Sequence, residues 1–409
     1  MTLIECFTDS HIDNLAACLC LKPDRMILIG DARKMEEPCC RYTQILRDRG
    51  QNTQITLCDI QKRDLDEIYA VLNRLIAAQS SCVIDLTGGD ELVMMAVGAV
   101  LAGLDAEKRS HIQVQRCLYE RNALLDCIQG DHLIPADHVA LSVSEQLFLY
   151  GGQLFPDSEQ PPEHFTAAQL EPLWELVCQS PKTWNRTISV LREFESRSDS
   201  QMEIDLSIFA LRSLISGFEA KEEQVRSLLQ KLDQRGVIWD KSDRNTLRYT
   251  YTSPIFRYCT QKAGNVLELK VLLEGRALRH NGAPFFADCR TGVSIDWDGI
   301  VYSPLQHKPE TRNEIDVVLM HGVTPLFISC KNGNIGEEEL YKLHTVAERF
   351  GGEQAKKMLV ATDLDQKSLA ANRAFIQRAW DMDIFLVTDA AQIPREEWPQ
   401  IFLRAMGQT

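Results

Sequence analysis

Residues 313–331 read NEIDVVLMHGVTPLFISCK: an acidic strand entry, a glycine-marked turn, and a second apolar strand that ends in lysine. Strand side chains alternate faces, so Glu314 and Asp316 are expected to project together while Ile315 and Val317 project oppositely. Across the turn at His321 and Gly322, Ser329 and Lys331 likewise share a face. A carboxylate and an ammonium can therefore meet at one sheet edge. Phosphodiester hydrolysis needs that pairing, because a carboxylate-held divalent ion activates water and a neighbouring cation offsets charge developing on the phosphate. A structural βββ unit with ordinary solvated charges would show the same spacing.

This stretch resembles the PD-(D/E)xK nuclease superfamily, in which an aspartate precedes, across a hairpin, a strand bearing (D/E)-x-K. The resemblance makes Asp316 the metal-binding aspartate and Lys331 the motif lysine, and it implies Mn2+ or Mg2+ as cofactor. Ser329 stands where an acid is usual, so the second carboxylate must come from elsewhere. Glu268, in GNVLELKVLLEGRAL, is one source: Val266, Leu269 and Leu273 form an apolar helical stripe there, and RecB-like members of the superfamily contribute a glutamate from such a helix. Glu314 is the reserve. The resemblance also implies that the Cys330 carbonyl completes the metal shell, and that Tyr341, on the helix after the lysine strand, supports the site or contacts substrate backbone. A packing role for Tyr341 fits the sequence equally.

Composition sets the frame. The 409 residues suggest two to four domains, and 44% hydrophobic content is ample for their cores. No run of about 18 apolar residues occurs, and MTLIECFTDSH lacks the order of a signal peptide, which gives the expectation of a cytoplasmic protein with no membrane segment. Thirteen cysteines, without paired C-x-x-C spacing, read as buried thiols of a reducing compartment. A net charge of −14 argues against electrostatic coating of nucleic acid. The deficit is uneven: residues 1–150 carry 14 Lys/Arg against 22 Asp/Glu, whereas residues 256–409 carry 18 against 20. A local basic groove is thus conceivable in the C-terminal region, with Arg276, Arg279, Lys342, Lys356 and Lys357 as its candidates.

In the first 150 residues LIECF, MILIG, ITLCDI, CVIDLTGG and HIQVQRCLY read as strands. TDSHIDNLAACLCL, a Tyr42–Arg49 segment, Lys62–Ala78 and Asp90–Leu104 read as the helices between them. The pattern predicts an α/β, mostly parallel, doubly wound sheet. Ligands gather beyond the carboxyl ends of such strands, which nominates three turns: Thr8 to His11, Gly30 to Arg33, and Thr87 to Asp90. In the third, Gly88 and Gly89 clear the turn of side chains, the amides of Gly89, Asp90 and Glu91 lie near a helix start, and Thr87 adds a hydroxyl. GxGxxG is absent, so the common dinucleotide-binding pattern has no support. Asp90 can equally be a plain helix cap.

A strand followed by Asp9-Ser10-x-x-x-Asn14, and a late strand ending in LTGG, resemble the CARF domain, a Rossmann-like sensor whose homodimer holds cyclic oligoadenylate across its two-fold axis. Ligand contacts are then implied for Asp9, Ser10, His11, Asn14, Gly30, Asp31, Thr87, Gly88, Gly89, Asp90 and Glu91. The family often has threonine and then lysine after the two glycines. Asp90 and Glu91 occupy those positions, which leaves phosphate to the backbone amides.

Residues 151–163, GGQLFPDSEQPPE, have the composition of a boundary. From Thr166 to Gln234 helical periodicity dominates, in TAAQLEPLWELVCQS, WNRTISVLREFES, IDLSIFALRSLI and AKEEQVRSLLQKLDQRG. A short pair, VIWD and LRYTY, then reads as a β-wing. This predicts a winged-helix-like middle, as a spacer or dimer-packing unit or as a DNA reader. Strand and helix alternate again in MLVATDL, a polar helix near Ser368–Trp380, and DIFLVTD. The expected division is a CARF-like sensor at 1–150, a winged-helix-like spacer at 164–255 and a restriction-endonuclease-like α/β domain at 256–409. This order resembles the CRISPR ancillary nucleases that join a CARF domain to a PD-(D/E)xK domain. It implies a homodimer activated by cyclic oligoadenylate, with cyclic tetra-adenylate favoured, that cuts nucleic acid in type III interference. The rival expectation is a ligand-gated winged-helix regulator whose nuclease domain has decayed, as the missing acid at position 329 would permit.

Overall fold

A computed structural model describes residues 1–60, 64–128, 130, 132–136, 139–155, 160–300, 312–333, 335–362, 364 and 369–408. The helix starts expected at Lys62 and Ser368, and residues 156–159 of the expected boundary, lie outside the described residues. The N-terminal unit runs β1 (Thr2–Cys6), α1 (Ala16–Leu21), β2 (Arg25–Gly30), α2 (Ala32–Asp48), β3 (Gln54–Asp59), α3 (Leu65–Ala77), β4 (Cys82–Asp85), α4 (Glu91–Gly103), α5 (Ala106–Ser110), β5 (Ile112–Leu118), β6 (Ala123–Asp126) and β7 (Leu133–Pro135). The strands form one sheet in the order β3-β2-β1-β4-β5-β6-β7. Pairing is parallel from β3 through β5 and antiparallel at β6 and β7. Alternation divides its apolar side chains between two cores. Ile4, Ile27 and Ile84 pack towards Ile68, Leu72 and Val97 of α3 and α4, while Leu3, Leu28 and Val83 join the core containing Tyr42 and Ile45 of α2.

Two helices depart from expectation here. The first holds only Ala16–Leu21, because the buried Asn14 amide bonds Thr8 N, Thr8 O and Ser10 O and fixes the preceding residues as a turn. The second starts ten residues before Tyr42, at Ala32, where the Asp31 side chain accepts from Arg33 N and caps it.

The chain leaves this unit through α6 (Val143–Leu149), closed by a capping box of Ser142 and Glu145, and then β8 (Gln153–Leu154). A helical unit follows: α7 (Ala167–Gln179), α8 (Pro181–Glu195), β9 (Glu203–Ser207), α9 (Ile208–Leu214), α10 (Phe218–Gln234), β10 (Ile238–Asp240), β11 (Thr246–Tyr251) and α11 (Pro254–Gln261). IDLSIFALRSLI is therefore not one helix. Residues 203–207 alternate, with Ile204 and Leu206 inward, and pair antiparallel with β11, so the wing has three strands in the order β10-β11-β9. Buried Glu195 ties the unit together by accepting from Tyr249 Oη and Tyr251 Oη, both at 2.7 Å, and by pairing with Arg257 at 2.5 Å.

The C-terminal unit contains α12 (Asn265–Ala277), a small hairpin of β12 (Arg279–His280) and β13 (Ala283–Pro284), β14 (Asp288–Asp296), β15 (Arg312–His321), β16 (Thr324–Lys331), α13 (Glu337–Gly351), β17 (Lys356–Ala361), α14 (Leu369–Asp381), β18 (Ile384–Val387) and α15 (Trp398–Ala405). Its sheet runs β18-β17-β16-β15-β14-β8, so the expected boundary segment supplies an edge strand. Helix α12 is buried nearly all round, beyond the expected stripe: Val266, Leu267, Leu269, Val271 and Leu272 are all inaccessible, because the helix lies between α7 and the sheet. On the other face of the sheet, Phe327 and Phe350 share one continuous core with Leu147 of α6 and with Leu3 and Tyr42 of the N-terminal unit. Among the described residues no helix is long and apolar enough to cross a membrane; none of the thirteen cysteines is in a disulfide, and Cys40 and Cys127 are exposed, contrary to the expectation of buried thiols.

Candidate functional site

Two sites emerge, one in each α/β unit. In the C-terminal unit the β15–β16 ladder pairs Val317 with Ile328 and goes no further towards Asp316. Beyond it, the Asp316 carboxylate takes over as acceptor: Oδ2 receives the Cys330 N–H at 2.6 Å, the Ser329 hydroxyl at 3.2 Å and the Lys331 ammonium at 3.4 Å. Simple alternation fails at this point. Val317 joins the core on the α12 side, whereas Ile315 joins the opposite core, and Gly292 in the adjacent strand has φ +58°, a left-handed conformation suited to such a break. The break directs Asp316 towards α12 and Glu268. Thr291 links the two, since its Oγ1 donates to the Asp316 carbonyl at 2.8 Å and lies 3.4 Å from Glu268 Oε2.

Charge in this site is unbalanced. Burial, then Asp316 and Glu314, push the Glu268 carboxyl up to about 8, against the pull of Lys262 and Lys331. Burial also raises Asp316, with Lys331, the Cys330 N–H and Ser329 opposing. For Lys331, burial works against the charged form, but Asp316 and Glu339 outweigh it and hold the ammonium above its ordinary value. Two half-buried carboxylates with weakened acidity make a site short of positive charge. Among the described residues no three His, Cys, Asp or Glu side chains gather closely enough to hold a metal alone. The donor set of two carboxylates still fits a hard divalent ion, which commonly completes its shell with carbonyl, water and substrate phosphate.

The other expected residues fall around this centre. Glu314 is more than half exposed and pairs with Lys262 at 3.7 Å, at the rim of the site. The Cys330 thiol is buried, and burial, then the charges of Asp316 and Glu268, push its pKa well up, while its backbone N–H donates to Asp316. Tyr341 is turned to Arg378, whose guanidinium donates to the phenol and lies 5.9 Å from the ring centroid. Its neighbour Glu339, which sequence reasoning passes over, meets Lys331 instead, at 3.2 Å. Three of the five residues expected for a basic groove have other partners: Arg276 bonds the Cys289 carbonyl, Lys342 pairs with Glu339, and Lys357 is buried beside His344.

In the N-terminal unit, the three nominated turns do meet. They form a cleft of about 200 Å³ lined by Thr8, Asp9, Gly30, Asp31, Gly88 and Asp90, with Lys34 as its cation, 3.9 Å from Asp9. Gly88 is required sterically, since a Cβ there would lie 2.6 Å from the Cys6 carbonyl and 2.9 Å from Thr8 Cγ2. Asp90 caps α4 by accepting from Val93 N at 3.0 Å. Three expected contacts point elsewhere. Asn14 is inaccessible and holds the β1–α1 turn. The Thr87 hydroxyl accepts from Cys117 N at 2.8 Å. His11 packs on Tyr150 at 5.2 Å and bonds Tyr42 Oη at 2.9 Å; burial, then Arg41 and Arg349, lower its pKa to about 4. Ser10, Gly89 and Glu91 sit beside the cleft, outside its lining. Below it, Glu5 and Asp85 face each other on β1 and β4, and Asp13 lies nearby. Neither Glu5 oxygen has a hydrogen-bond partner among the described residues.

Fold and sites define a class: a Rossmann-like unit with a cleft at its strand ends, a winged-helix-like middle, and a mixed α/β unit with an acid–lysine centre. Solved structures share this fold along the whole chain. Protein VC1899 from Vibrio cholerae aligns with a TM-score of 0.72 at 16% identity, over 100% of this chain and 99% of that one. Can2 from Sulfobacillus thermosulfidooxidans, in complex with cyclic tetra-adenylate, aligns with a TM-score of 0.65 at 16% identity, over 99% and 97%. No protein-family model matches the sequence, and curated protein sequences give no significant match.

Proposed function

We propose that this chain is a cyclic-oligoadenylate-activated, metal-dependent nuclease of type III CRISPR antiviral defence. The observation that carries this reading is the joint presence, in a fold shared end to end with the cyclic tetra-adenylate-bound Can2, of an N-terminal cleft and a C-terminal Asp316–Lys331–Glu268 centre. The cleft is smaller than the roughly 300–1,000 Å³ of a typical small-molecule site. A cyclic tetranucleotide thus needs more surface than the cleft of one protomer, which supports a homodimer holding one activator between two clefts.

Glu268 and Asp316, with the Cys330 carbonyl, would hold Mn2+ or Mg2+, which when bound supplies Lewis acidity and an activated water. The chain's own groups do the remaining work. The Cys330 N–H and the Ser329 hydroxyl orient Asp316, so serine at the usual acid position retains a role in the site. Lys331 stands beside Asp316 to stabilise charge on the phosphate as the bond to the leaving oxygen lengthens. A lysine held between carboxylates speaks for a working site over the decayed-domain alternative. The test is cleavage of supercoiled plasmid, single-stranded DNA and RNA, each with and without divalent metal and a panel of cyclic oligoadenylates. Cleavage of at least one substrate that requires both metal and one ring size supports the reading. Activator binding without cleavage of any substrate would favour the regulator.

A further inference from the structure

The nuclease chemistry leaves Glu339 unused, although its carboxylate lies 3.2 Å from the Lys331 ammonium and 2.9 Å from Lys342. Glu339 belongs neither to the sheet nor to α12. It stands in the first turn of α13, a helix of 15 residues and therefore about 22 Å long. The far end of that helix touches the sensor. Gln146 of α6 donates to the Phe350 carbonyl at 2.9 Å, and a Cβ on Gly352 would lie 2.4 Å from Tyr150 Oη. Tyr150 packs in turn on His11, whose Nδ1 is 2.9 Å from Tyr42 Oη. Tyr42 Oη also accepts from Asn14, whose amide closes the turn that presents Thr8 to the cleft. One helix thus spans from the sensor turn to the catalytic lysine.

We propose that Glu339 is a positioning residue that keeps Lys331 occupied until the sensor is filled, with α13 carrying the signal; the proposal rests on the nuclease reading above. Lys331 is engaged by two carboxylates, and an ammonium so neutralised offers little to an incoming phosphate. Only about a third of the Lys331 side chain and a fifth of the Glu339 side chain are exposed, so solvent screens this pair less than a surface pair. Closure of the cleft on a polyanion pulls on the turn of Thr8 and His11, and a shift of α13 by roughly 2 Å turns a direct ion pair into a water-separated one. Lys331 then keeps Asp316 as its neighbour and turns its remaining charge to substrate.

The experiment combines two readouts. Plasmid cleavage with saturating Mn2+ is measured for the parent, Glu339→Gln and Glu339→Asp, with and without cyclic tetra-adenylate. Backbone amide exchange of residues 337–342 is followed in the parent on adding the same ring. Glu339→Gln should raise the activator-free kcat by about tenfold or more, with KM unchanged and the ring bound more tightly, because the released latch no longer opposes the filled sensor. Glu339→Asp, which keeps the charge, should give a smaller rise, and exchange at 337–342 should increase when the ring binds. The proposal is overturned if Glu339→Gln leaves the activator-free rate unchanged or lowers both rates, or if exchange is unaltered in ring-saturated protein. A parent that never cleaves, yet shows the exchange response, refutes the nuclease reading and retains the coupling. A parent that does not bind the ring refutes both.

Discussion

The N-terminal cleft and the C-terminal acid–lysine centre lie in α/β units of one chain, yet they are built from different materials. The cleft is made by three turns at the ends of parallel strands, and polar side chains in and behind these turns, Asn14, Asp31 and Asp90 among them, serve to hold backbone in place. The acid–lysine centre is made by side chains sent from separate elements: Glu268 from α12, Thr291 from β14, Asp316 from β15, Lys331 from β16 and Glu339 from α13. The difference teaches where each is vulnerable. A cleft of backbone should fail through steric change at its glycines, and a centre of side chains should fail through loss of single charges.

The largest effect is expected at Lys331. Lys331→Ala should lower activated turnover on the order of 10²-fold or more, because the ammonium is needed chiefly as the phosphate gains charge, while ring binding is retained. Single-turnover cleavage and ring titration separate the two; a parental rate in the variant would mean that the charge comes from elsewhere.

Next is the glycine turn. Gly88→Val places carbon against the Cys6 carbonyl and should cost roughly 1–3 kcal/mol of stability together with ring binding. Gly89→Ala, whose Cβ would meet Val93 Cγ1 at 3.3 Å, should be tolerated. Thermal unfolding and ring affinity of both variants sharpen the contrast, and equal behaviour would remove it.

A smaller loss is expected at Lys34, the cation of the cleft that sequence reading does not single out. Lys34→Ala should weaken ring binding by about tenfold and make it less sensitive to salt. Titrations at low and high ionic strength check this, and an unaltered salt dependence would mean that amides carry the phosphate alone.

The gentlest effect is on pH dependence. Burial, then Asp85 and Asp13, hold the Glu5 carboxyl well above its ordinary value, and Asp85 is pushed up to about 6. The native state thus keeps a proton on Glu5 that the unfolded chain gives up. Its contribution is full below the ordinary value of 4.5 and is lost as pH rises towards the folded value. Glu5→Gln has no such proton to lose, so its stability relative to the parent should climb above about pH 5 by up to ~1.4 kcal/mol per pH unit. Denaturant unfolding between pH 5 and 8 reads this, and a difference constant with pH would place the acidic cluster's proton elsewhere.

How much of this the sequence discloses follows from the same contrast. Asp316 and Lys331 are readable because they flank one hairpin, where local spacing nearly determines neighbourhood. Glu268 is readable only with family resemblance, since helix α12 is far from the hairpin in the chain. Thr291 and Glu339 give no signal, because a threonine in a strand and one of three consecutive glutamates at a helix start are commonplace until tertiary packing selects them. In the N-terminal unit, topology alone nominates the three turns, since strand order fixes where they meet. Which side chains face the cleft is not encoded locally. Asn14 and Thr87 turn inward to satisfy backbone groups, while Lys34 enters from a helix whose early start at Ala32 the apolar periodicity does not reveal. IDLSIFALRSLI misleads because its first residues obey both helical and strand patterning, and pairing with β11 decides the matter.

The most direct test is plasmid cleavage with Mn2+ as cyclic tetra-adenylate is titrated, for the parent and Asp316→Asn, each free of contaminating nuclease. Parental cleavage should rise with ring occupancy from a low baseline and saturate near one ring per dimer, and Asp316→Asn should bind the ring yet cut at least about 10²-fold more slowly. Cleavage independent of the ring, or undiminished in Asp316→Asn, would contradict a sensor that gates this acid–lysine centre.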